Sequence, residues 1–420
     1  MKGLKGLRFL IVGGLIFFIG CGGYQGSSSI KELETDKPSA QSQVIGTLSD
    51  TKGSDTVESA DEVELLIKKG EIEEKEKILV DQFETDGDDE VGARFTFRWC
   101  GSNAFVVKKE NEGIEWIDIL EKKRLKITEN KDDRLLDSSL DGRWIIYTDS
   151  KNSPDAQWKY YNYRKNPKWN PECTIDVYRY EVDSGKKEKI GVMRTLMPVN
   201  VMLSPDEKKI FLGGQVEDNI EMSEPKWEKL YFKKKDWDAE WYAVWFQDSS
   251  GIITNEENDE HEERIGVEIF GHNGWDKTFK IGVKSIDSVQ TCRDKKFYFR
   301  GWVPNEWLLY EGRITENKEL TYKKILEFNI DNDAWYYVVL PEGDIVLWEK
   351  RDKWIRCVSP EQMKTKWVVK VEEWSGNMKV SPDRKWLLFS QEIGQNDEEG
   401  RYNGKIQVSH YIVKLKKEVD

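Results

Sequence analysis

The chain has 420 residues, 38% of them apolar and 34% charged, and it contains 18 Trp, 16 Tyr and 16 Phe. This aromatic content excludes a wholly disordered chain, and the length suffices for one large or two ordinary domains. The formal net charge of −13 repels a phosphate backbone, so nucleic acid is excluded as an expected partner.

The N-terminus has the pattern of an export signal. Three basic residues lie within the first eight positions, residues 9–19 are apolar or Gly, and Gly20 and Cys21 follow. The apolar run is shorter than the roughly 20 residues that a membrane span needs. The order resembles the signal of bacterial lipoproteins, in which the cysteine is acylated and becomes the new N-terminus, although Phe18 stands where Leu is usual. The resemblance implies a signal peptide over 1–20 and a lipid on Cys21. An ordinary signal peptide with an incidental cysteine, or an uncleaved anchor, stays open.

Residues 21–75 are predicted to form a flexible, disordered tether. They are rich in Ser, Thr, Asp, Glu and Lys and contain almost no aromatic residue. Such a segment cannot bury enough apolar surface to offset the conformational entropy of the chain. A short helix is expected over 60–69, with Leu65 and Leu66 as a weak apolar face.

From about residue 76 the chain changes to short apolar runs separated by turn residues, and one phrase recurs at 139–149, 203–213 and 380–390. Each copy has an aspartate at the same place: Asp141, Asp206 and Asp383. A Pro before two of them presets φ for a turn, in which the Asp carboxylate can accept a backbone N–H. The strand after each turn is apolar at nearly consecutive positions, which indicates a strand covered on both faces.

Four weaker copies complete a regular spacing, with turns near positions 101, 141, 206, 248, 293, 342 and 383. A period of about 40–50 residues with up to four strands per unit is the signature of a β-propeller, a ring of small sheets that cover one another. The sequence therefore predicts an all-β fold with about seven four-stranded blades over 76–420. Six is the alternative, because the unit with its third strand at 229–233 has a poor fourth strand. A strand near 78–83 is expected to join the last unit and close the ring.

The Ser-Pro-Asp-x-Lys phrase resembles the repeats of TolB-like and WD-type propellers, and the resemblance covers roughly residues 90–420. The Gly that usually follows the Asp is present as Gly142 but is replaced by Glu207 and Arg384 in the other copies. TolB carries an additional α/β domain before its propeller, whereas this chain has only the predicted tether there. The resemblance therefore implies a fold, and the partner of TolB is not carried over.

The sequence contains no motif of a familiar catalytic site. It has neither a Gly-x-Ser-x-Gly nucleophile elbow nor a Gly-rich phosphate loop, so we predict a protein that is not an enzyme and holds no cofactor. His261 lies among carboxylates, which indicates either a divalent metal site or a solvated acidic loop. No second His stands at ligand spacing, and residues 86–90 lack the spacing of a calcium loop, so no metal is predicted.

Four cysteines besides Cys21 leave the redox state open. In an exported protein they could form two disulfides, or they could remain buried free thiols. These cysteines are Cys100, Cys173, Cys292 and Cys357.

A long insertion over 157–170 interleaves aromatic and basic residues in an otherwise acidic protein. Its aromatic residues are candidate binding residues: Trp158, Tyr160, Tyr161, Tyr163 and Trp169. Such a segment can stack on sugars or dock an acidic protein surface. The alternative is that the insertion folds back and packs on its own blade.

Together these patterns predict a lipid-anchored, extracytoplasmic β-propeller of the bacterial cell envelope that acts as a protein-binding or scaffold module. A flexible tether lets a rigid loop face search the space above the membrane. The alternatives are a glycan-binding or small-ligand-binding protein that uses the insertion, or an enzyme acting at the propeller funnel. The identity of the partner and the membrane leaflet stay open.

Overall fold

The computed structural model describes most residues after position 59. The described ranges are 60–86, 95–109, 112–149, 175–193, 201–212, 216–217, 222–231, 243–258, 263–271, 276–283, 285–291, 296–303, 306–328, 336–340, 342–349, 353–362, 364–372, 375–396 and 402–415. Within these ranges the chain forms one helix and 29 strands, all in the unit Val44–Asp420. Cys21 and the five aromatic residues of the insertion lie outside the described residues.

The ordered chain begins with three elements before the first repeat. They are α1 (Ala60–Lys68), β1 (Glu73–Glu74) and β2 (Ile78–Asp86).

The strands form seven sheets, two of which include β1 and β2. Each sheet begins with a hairpin of two consecutive strands, and the hairpins follow one another in chain order. Sheet 1 contains β3 (Phe95–Trp99), β4 (Ala104–Lys109), β5 (Gly113–Asp118) and β6 (Arg124–Thr128). Sheet 2 contains β7 (Leu135–Ser138), β8 (Trp144–Asp149), β9 (Ile175–Glu181), β10 (Lys187–Met193) and β13 (Val216–Glu217). Sheet 3 contains β11 (Val201–Leu203), β12 (Lys209–Leu212) and β14 (Glu228–Tyr231).

The second half of the ring is more regular. Sheet 4 contains β15 (Val244–Trp245), β16 (Gly251–Asn258), β17 (Glu263–Gly271) and β18 (Asp276–Lys280). Sheet 5 contains β19 (Ser285–Thr291), β20 (Lys296–Val303), β21 (Glu306–Ile314) and β22 (Leu320–Phe328). Sheet 6 contains β1, β23 (Tyr336–Val339), β24 (Ile345–Glu349), β25 (Trp354–Ser359) and β26 (Lys364–Lys370). Sheet 7 contains β2, β27 (Ser375–Val380), β28 (Trp386–Asn396) and β29 (Tyr402–Lys414).

The first strands of the sheets lie at the centre of a closed ring. Strand β3 contacts β7, β7 contacts β11, β15 contacts β19, β23 contacts β27, and β27 contacts β3. Phe211 and Trp245 join sheets 3 and 4, and Leu309 and Tyr337 join sheets 5 and 6. The predicted all-β propeller is thus confirmed. Six of its sheets are full blades of four or five strands, so the alternative count of six blades is the one confirmed, and sheet 3 is a smaller sheet of three strands.

The core consists of the interfaces between neighbouring sheets. All residues of β8 and of β25 are buried, as their runs of consecutive apolar positions predict. Between sheets 7 and 1, for example, Phe97 and Phe105 pack against Leu388 and Val408. Each such fully buried side chain contributes about 1.5–3 kcal/mol, which a single small sheet could not gain alone.

Strand β2 closes the ring, as predicted for a segment near 78–83. It pairs antiparallel with β29, from Ile78 opposite Ile412 to Asp86 opposite Lys405. The first long strand therefore completes the last sheet, and the ring has no gap between sheets 7 and 1.

Residues 60–75, which the composition assigns to the tether, are ordered and pack on sheet 6. Helix α1 buries Val63 against Trp354 and Val368, and β1 pairs parallel with β26. Leu66 belongs to this apolar face as predicted, but Leu65 does not, because it is 50% exposed. The period of 3.6 residues places Val63, Leu66 and Ile67 on one side of the helix.

Sheet 3 departs from the expected antiparallel pattern. Its third strand lies close to the predicted 229–233, but β14 pairs parallel with β12. The chain leaves β12, runs to the edge of sheet 2 as β13, and only then returns. This detour reverses the direction in which β14 enters the sheet.

Candidate binding surface and inner ring

The three repeated aspartates hold their turns in the same way. In each turn the Ser hydroxyl two positions earlier donates to the Asp carboxylate, and so does the backbone N–H two positions later. The Ser donors are Ser139 (2.7 Å), Ser204 (2.6 Å) and Ser381 (2.7 Å). The backbone donors are Arg143 (2.8 Å), Lys208 (3.2 Å) and Lys385 (3.2 Å). Asp141, Asp206 and Asp383 therefore shape the hairpins that start sheets 2, 3 and 7.

The residue after each of these aspartates has a positive φ. The values are 87° for Gly142, 57° for Glu207 and 65° for Arg384. This is the left-handed region, which a non-glycine residue enters at a cost of about 1–2 kcal/mol. Gly is usual at this position because it adopts a positive φ without strain, and Glu207 and Arg384 adopt the same conformation despite their side chains.

Neighbouring turns on this face are hydrogen-bonded to one another. The N–H of Gly101 donates to Ser139 O (3.3 Å), the N–H of Asp141 to Glu207 Oε1 (2.7 Å), and the N–H of Asp206 to Ser249 Oγ (3.0 Å). These bonds connect the turns that follow β3, β7, β11 and β15. We call these four turns the turn rim. Because a backbone N–H is the donor in each of these bonds, the positions of neighbouring turns are fixed relative to one another.

A cleft of about 370 Å³ opens on the turn rim between sheets 1 and 2. Its charged lining residues are Asp118, Glu121, Lys123, Asp141 and Asp183. The exposed side chains of Leu120 (59%) and Leu140 (41%) lie beside it, since their chain neighbours line the cleft.

The loop that carries Leu120 is held in place by its own side chains. Both the N–H of Leu120 and that of Glu121 donate to Asp118 Oδ1, at 2.8 and 2.7 Å. Two exposed apolar residues thus directly precede, in the chain, acidic residues that line the cleft.

Glu207 joins two turns and titrates abnormally. Burial, together with the nearby Asp141 carboxylate, raises the pKa of Glu207 to about 7. Burial acts in the same direction on Asp141, but the hydrogen bonds from Ser139 and from the N–H of Arg143 outweigh it and lower the pKa of Asp141. The proton therefore stays on Glu207, and Asp141 keeps the charge that its turn requires.

A second group of charged side chains lies on the innermost strands. Arg98 of β3, Asp137 of β7 and Lys379 of β27 come from sheets 1, 2 and 7. Arg98 Nε lies 4.0 Å from Asp137 Oδ1, and the Arg98 and Asp137 side chains are 33% and 17% exposed. Asp137 Oδ2 also accepts the N–H of Leu203, at 2.7 Å. We call these three residues the inner-ring cluster.

The electrostatics of the inner-ring cluster are unbalanced. The charge of Arg98, followed by burial, lowers the pKa of Lys379 to about 7, and Asp137 only partly opposes this. Burial lowers the pKa of Arg98 and raises that of Asp137. Burial is thus the main cause of the shifts of Arg98 and Asp137, whereas the charge of Arg98 is the main cause for Lys379.

A third group locks the closing strand to sheet 1. Asp81 of β2 accepts from Arg124 Nη1 (2.8 Å) and Lys109 Nζ (3.3 Å), and its other oxygen lies 3.2 Å from His410 Nδ1. Burial alone would raise the pKa of Asp81, but these partners hold it well below its usual range. Burial lowers the pKa of His410. We call this group the closure cluster. Because it joins β2 and β29 of sheet 7 to sheet 1, where the ring closes, we assign it a structural role.

Sequence reasoning missed both charged clusters. Arg98 stands between Phe97 and Trp99 in an apolar strand, and Asp81 stands in the equally apolar start of β2. A lone charge in a strand that is otherwise buried is the signal that could have indicated them. Their partners come from distant parts of the chain, so spacing alone could not have assembled the groups.

Cys100 and Cys357 are buried free thiols. Burial raises the pKa of both thiols, to about 12 for Cys357. Cys173, Cys292 and His261 lie outside the described residues. Among those that are described, no three His, Cys, Asp or Glu side chains are grouped so as to hold a metal ion. None of the helical residues described makes a helix long and apolar enough to cross a membrane.

No protein-family model and no curated protein matches the chain, whereas many solved structures do. The β-propeller domain of Cps50 (Swd1) from Myceliophteria thermophila is 10% identical, and the match covers 80% of this chain and 99% of that one, with a TM-score of 0.48. The β-propeller domain of the trilobed protease from Pyrococcus furiosus is 12% identical, and the match covers 78% of this chain and 100% of that one, with a TM-score of 0.48. A chain of the Kuenenia stuttgartiensis hydrazine synthase is 10% identical, and the match covers 77% of this chain and 95% of that one, with a TM-score of 0.47. At such scores neither residues nor function carry over.

Proposed function

We propose that the protein is a lipid-anchored binding module of the bacterial cell envelope that holds a protein partner on its turn rim. The observation that carries the proposal is the set of hydrogen bonds between neighbouring turns, which braces the rim around the cleft. A surface fixed before binding loses little conformational entropy when a partner docks. The exposed Leu120 and Leu140 supply apolar surface that a docked partner would remove from water.

The charges around the cleft favour a basic partner. Asp118, Glu121, Asp141 and Asp183 outnumber Lys123 among the lining residues. Complementary charges speed association and exclude acidic competitors, while the two leucines contribute most of the contact energy. We therefore expect a partner segment with apolar side chains flanked by Lys or Arg.

The entry point of the chain suits an anchored module. Helix α1 and β1 pack on sheet 6, at the outer edge of the ring. In a ring of seven sheets, sheet 6 lies across from sheets 2 and 3, which carry the middle of the turn rim. Helix α1 and β1, the first described elements, therefore lie away from the turn rim.

The test places a photo-crosslinking amino acid at position 140 of the full chain, in the cells that make it. We expect a covalent adduct with one protein at position 140, and none at position 65, because Leu65 is equally exposed but lies on α1. Introducing Leu120→Asp into the chain that carries the crosslinker should abolish the adduct, whereas Leu65→Asp should not. Equal adducts from both positions, or an adduct that survives Leu120→Asp, would contradict the proposal.

A further inference from the structure

The cleft between sheets 1 and 2 is lined by apolar as well as charged side chains. Its apolar lining includes Trp116, Leu125 and Val182. Trp116 and Val182 also pack against the buried cluster that contains Val106 and Tyr147. The apolar part of the cleft is therefore continuous with the packed interior, which fixes its shape.

The carboxylates of the cleft come from both sheets. Asp118 and Glu121 lie at the end of β5 and just after it in sheet 1, whereas Asp141 and Asp183 lie in turns of sheet 2. Asp118 Oδ1 accepts two backbone N–H groups, at 2.8 and 2.7 Å. Asp141 Oδ1 accepts the Ser139 hydroxyl at 2.7 Å and a backbone N–H at 2.8 Å. A cation that enters the cleft therefore meets carboxylates whose positions are set before it arrives.

The charges of the lining select an organic cation. Four carboxylates stand against one ammonium, that of Lys123, so the cleft attracts positive charge. A metal ion needs its oxygen ligands within about 2.6 Å, and no three acidic, His or Cys side chains of the described chain are grouped closely enough to supply them. Carboxylates spread around an opening are better suited to a larger cation that carries several separate donors.

The size of the cleft sets which part of a partner can enter it. A volume of about 370 Å³ is near the lower end of the roughly 300–1,000 Å³ that is typical of small-ligand sites. A whole helix, about 10 Å across with its side chains, does not fit, whereas one long side chain does. Arg and Lys bury their methylene stems on apolar surface and keep the charged head among polar groups. The mixed lining of the cleft therefore matches a single long basic side chain.

We propose that the cleft is the pocket by which the turn rim selects its partner, and that it takes one arginine side chain of the docked protein. This inference rests on the function proposed above and adds the residue that the rim recognises. The guanidinium is planar and carries five donors, so it suits carboxylates that come from two sheets, and it stacks on aromatic rings such as that of Trp116. A lysine ammonium is a point charge and makes fewer of these contacts.

The experiment uses the purified full chain in detergent and synthetic peptides, so it does not require the natural partner. The probes are acetyl-Leu-Arg-Leu-amide and its counterparts with Lys, with citrulline, which is the uncharged isostere of Arg, or with Glu at the central position. Calorimetry at neutral pH should show the tightest binding for the Arg peptide and weaker binding for the Lys peptide. The citrulline and Glu peptides should bind roughly tenfold more weakly than the Arg peptide, or less.

Two variants of the cleft and one matched control place the binding site. Asp118→Asn should weaken binding of the Arg peptide about tenfold, and Asp183→Asn, which changes an exposed carboxylate, about threefold. Asp248→Asn should leave binding unchanged. Asp248 likewise holds a turn of the rim, through the N–H of Ser250 at 3.0 Å, but it does not line the cleft.

Three results would overturn the arginine pocket. They are binding of the citrulline or Lys peptide as tight as that of the Arg peptide, undiminished binding by both cleft variants, and displacement of the Arg peptide by Ca²⁺ but not by NaCl of equal ionic strength. Asn at position 118 keeps the oxygen acceptor that the loop needs. If Asp118→Asn nevertheless does not fold, Asp183→Asn decides.

The arginine pocket and the proposed function fail in different ways. If the crosslinker at position 140 captures no protein in cells while the Arg peptide binds the purified chain, the proposed function fails and the cleft still recognises arginine. If position 140 captures a protein and the adduct persists undiminished in the chain with Asp118→Asn, the turn rim binds a partner but the arginine pocket is wrong.

Discussion

Gly142, Glu207 and Arg384 occupy the same turn position in three sheets, and each has a positive φ. Only Gly142 is also crowded, because a Cβ at this position would lie 3.2 Å from the Cα of Gly101 in the neighbouring turn. The two glycines therefore allow the turns of sheets 1 and 2 to approach each other. This close approach is part of what holds the turn rim together.

Gly142→Ala should lower the free energy of unfolding by about 1–3 kcal/mol, through strain in φ and contact with Gly101. Arg384→Ala is the matched control, because its backbone already carries a side chain at a positive φ, and it should change stability by less than about 0.5 kcal/mol. Urea unfolding of both variants is the measurement. A similar loss in both would show that the contact between the glycines is unimportant.

Glu207 should make stability depend on pH. Its pKa is raised from 4.5 to about 7, so the folded state keeps this proton to a higher pH than the unfolded chain does. Its contribution is complete below pH 4.5 and is lost as the pH rises through 7. Glu207→Gln keeps the neutral form, and above pH 7 it should be more stable than the unaltered protein by about 1 kcal/mol after solvent screening.

The measurement is urea unfolding of both proteins between pH 5 and pH 8. The difference between them should be small at the acidic end and should grow with pH. A constant difference, or one that grows toward acid, would contradict the protonated state assigned to Glu207.

At the scale of elements, β2 is the strand that closes the ring. It supplies the outer strand of sheet 7 and carries Asp81 into the closure cluster. Asp81→Asn should lower the free energy of unfolding by about 3 kcal/mol, because it removes the buried carboxylate that Lys109, Arg124 and His410 share. Gln82→Ala, one position along β2, removes only a part-buried hydrogen bond between uncharged side chains, to Ser409, and should cost no more than about 1 kcal/mol. The stability of both variants is measured by thermal unfolding. Equal losses of stability would contradict a structural role for the closure cluster.

The predictability of these elements follows from what determines each of them. The hairpins of the three clear repeats and the closing strand could be predicted, since local turn chemistry and consecutive apolar positions specify them. The packing of α1 on sheet 6 could not be predicted, because the three apolar residues of its packed face stand in a polar segment and their partner Trp354 is distant in sequence. The parallel pairing of β14 depends on the path of β13, which no local pattern encodes. Arg98 and Lys379 meet only because the ring places β3 beside β27.

At the scale of the whole molecule, the anchor and the ring should be separable. Cys21→Ser should abolish labelling by a radioactive fatty acid and release the protein from the membrane fraction, because a single acylated residue is the proposed attachment. Limited proteolysis of the released protein should leave one fragment beginning near Ala60, the first residue of α1. Unchanged labelling, or several stable fragments cut between sheets, would contradict this division.

Closure of the ring by its first long strand also sets an order of events in synthesis. Asp81 and His410 are 329 positions apart, and β29, which carries His410, is the last strand of the described chain. Sheets 1 to 6 can form their hairpins as each one emerges, but sheet 7 must wait for the final residues. Contacts between such distant positions slow folding. During synthesis β2 therefore stays without its partner until β29 has been made, and the ring remains open for the longest time between sheets 7 and 1, where the closure cluster later forms.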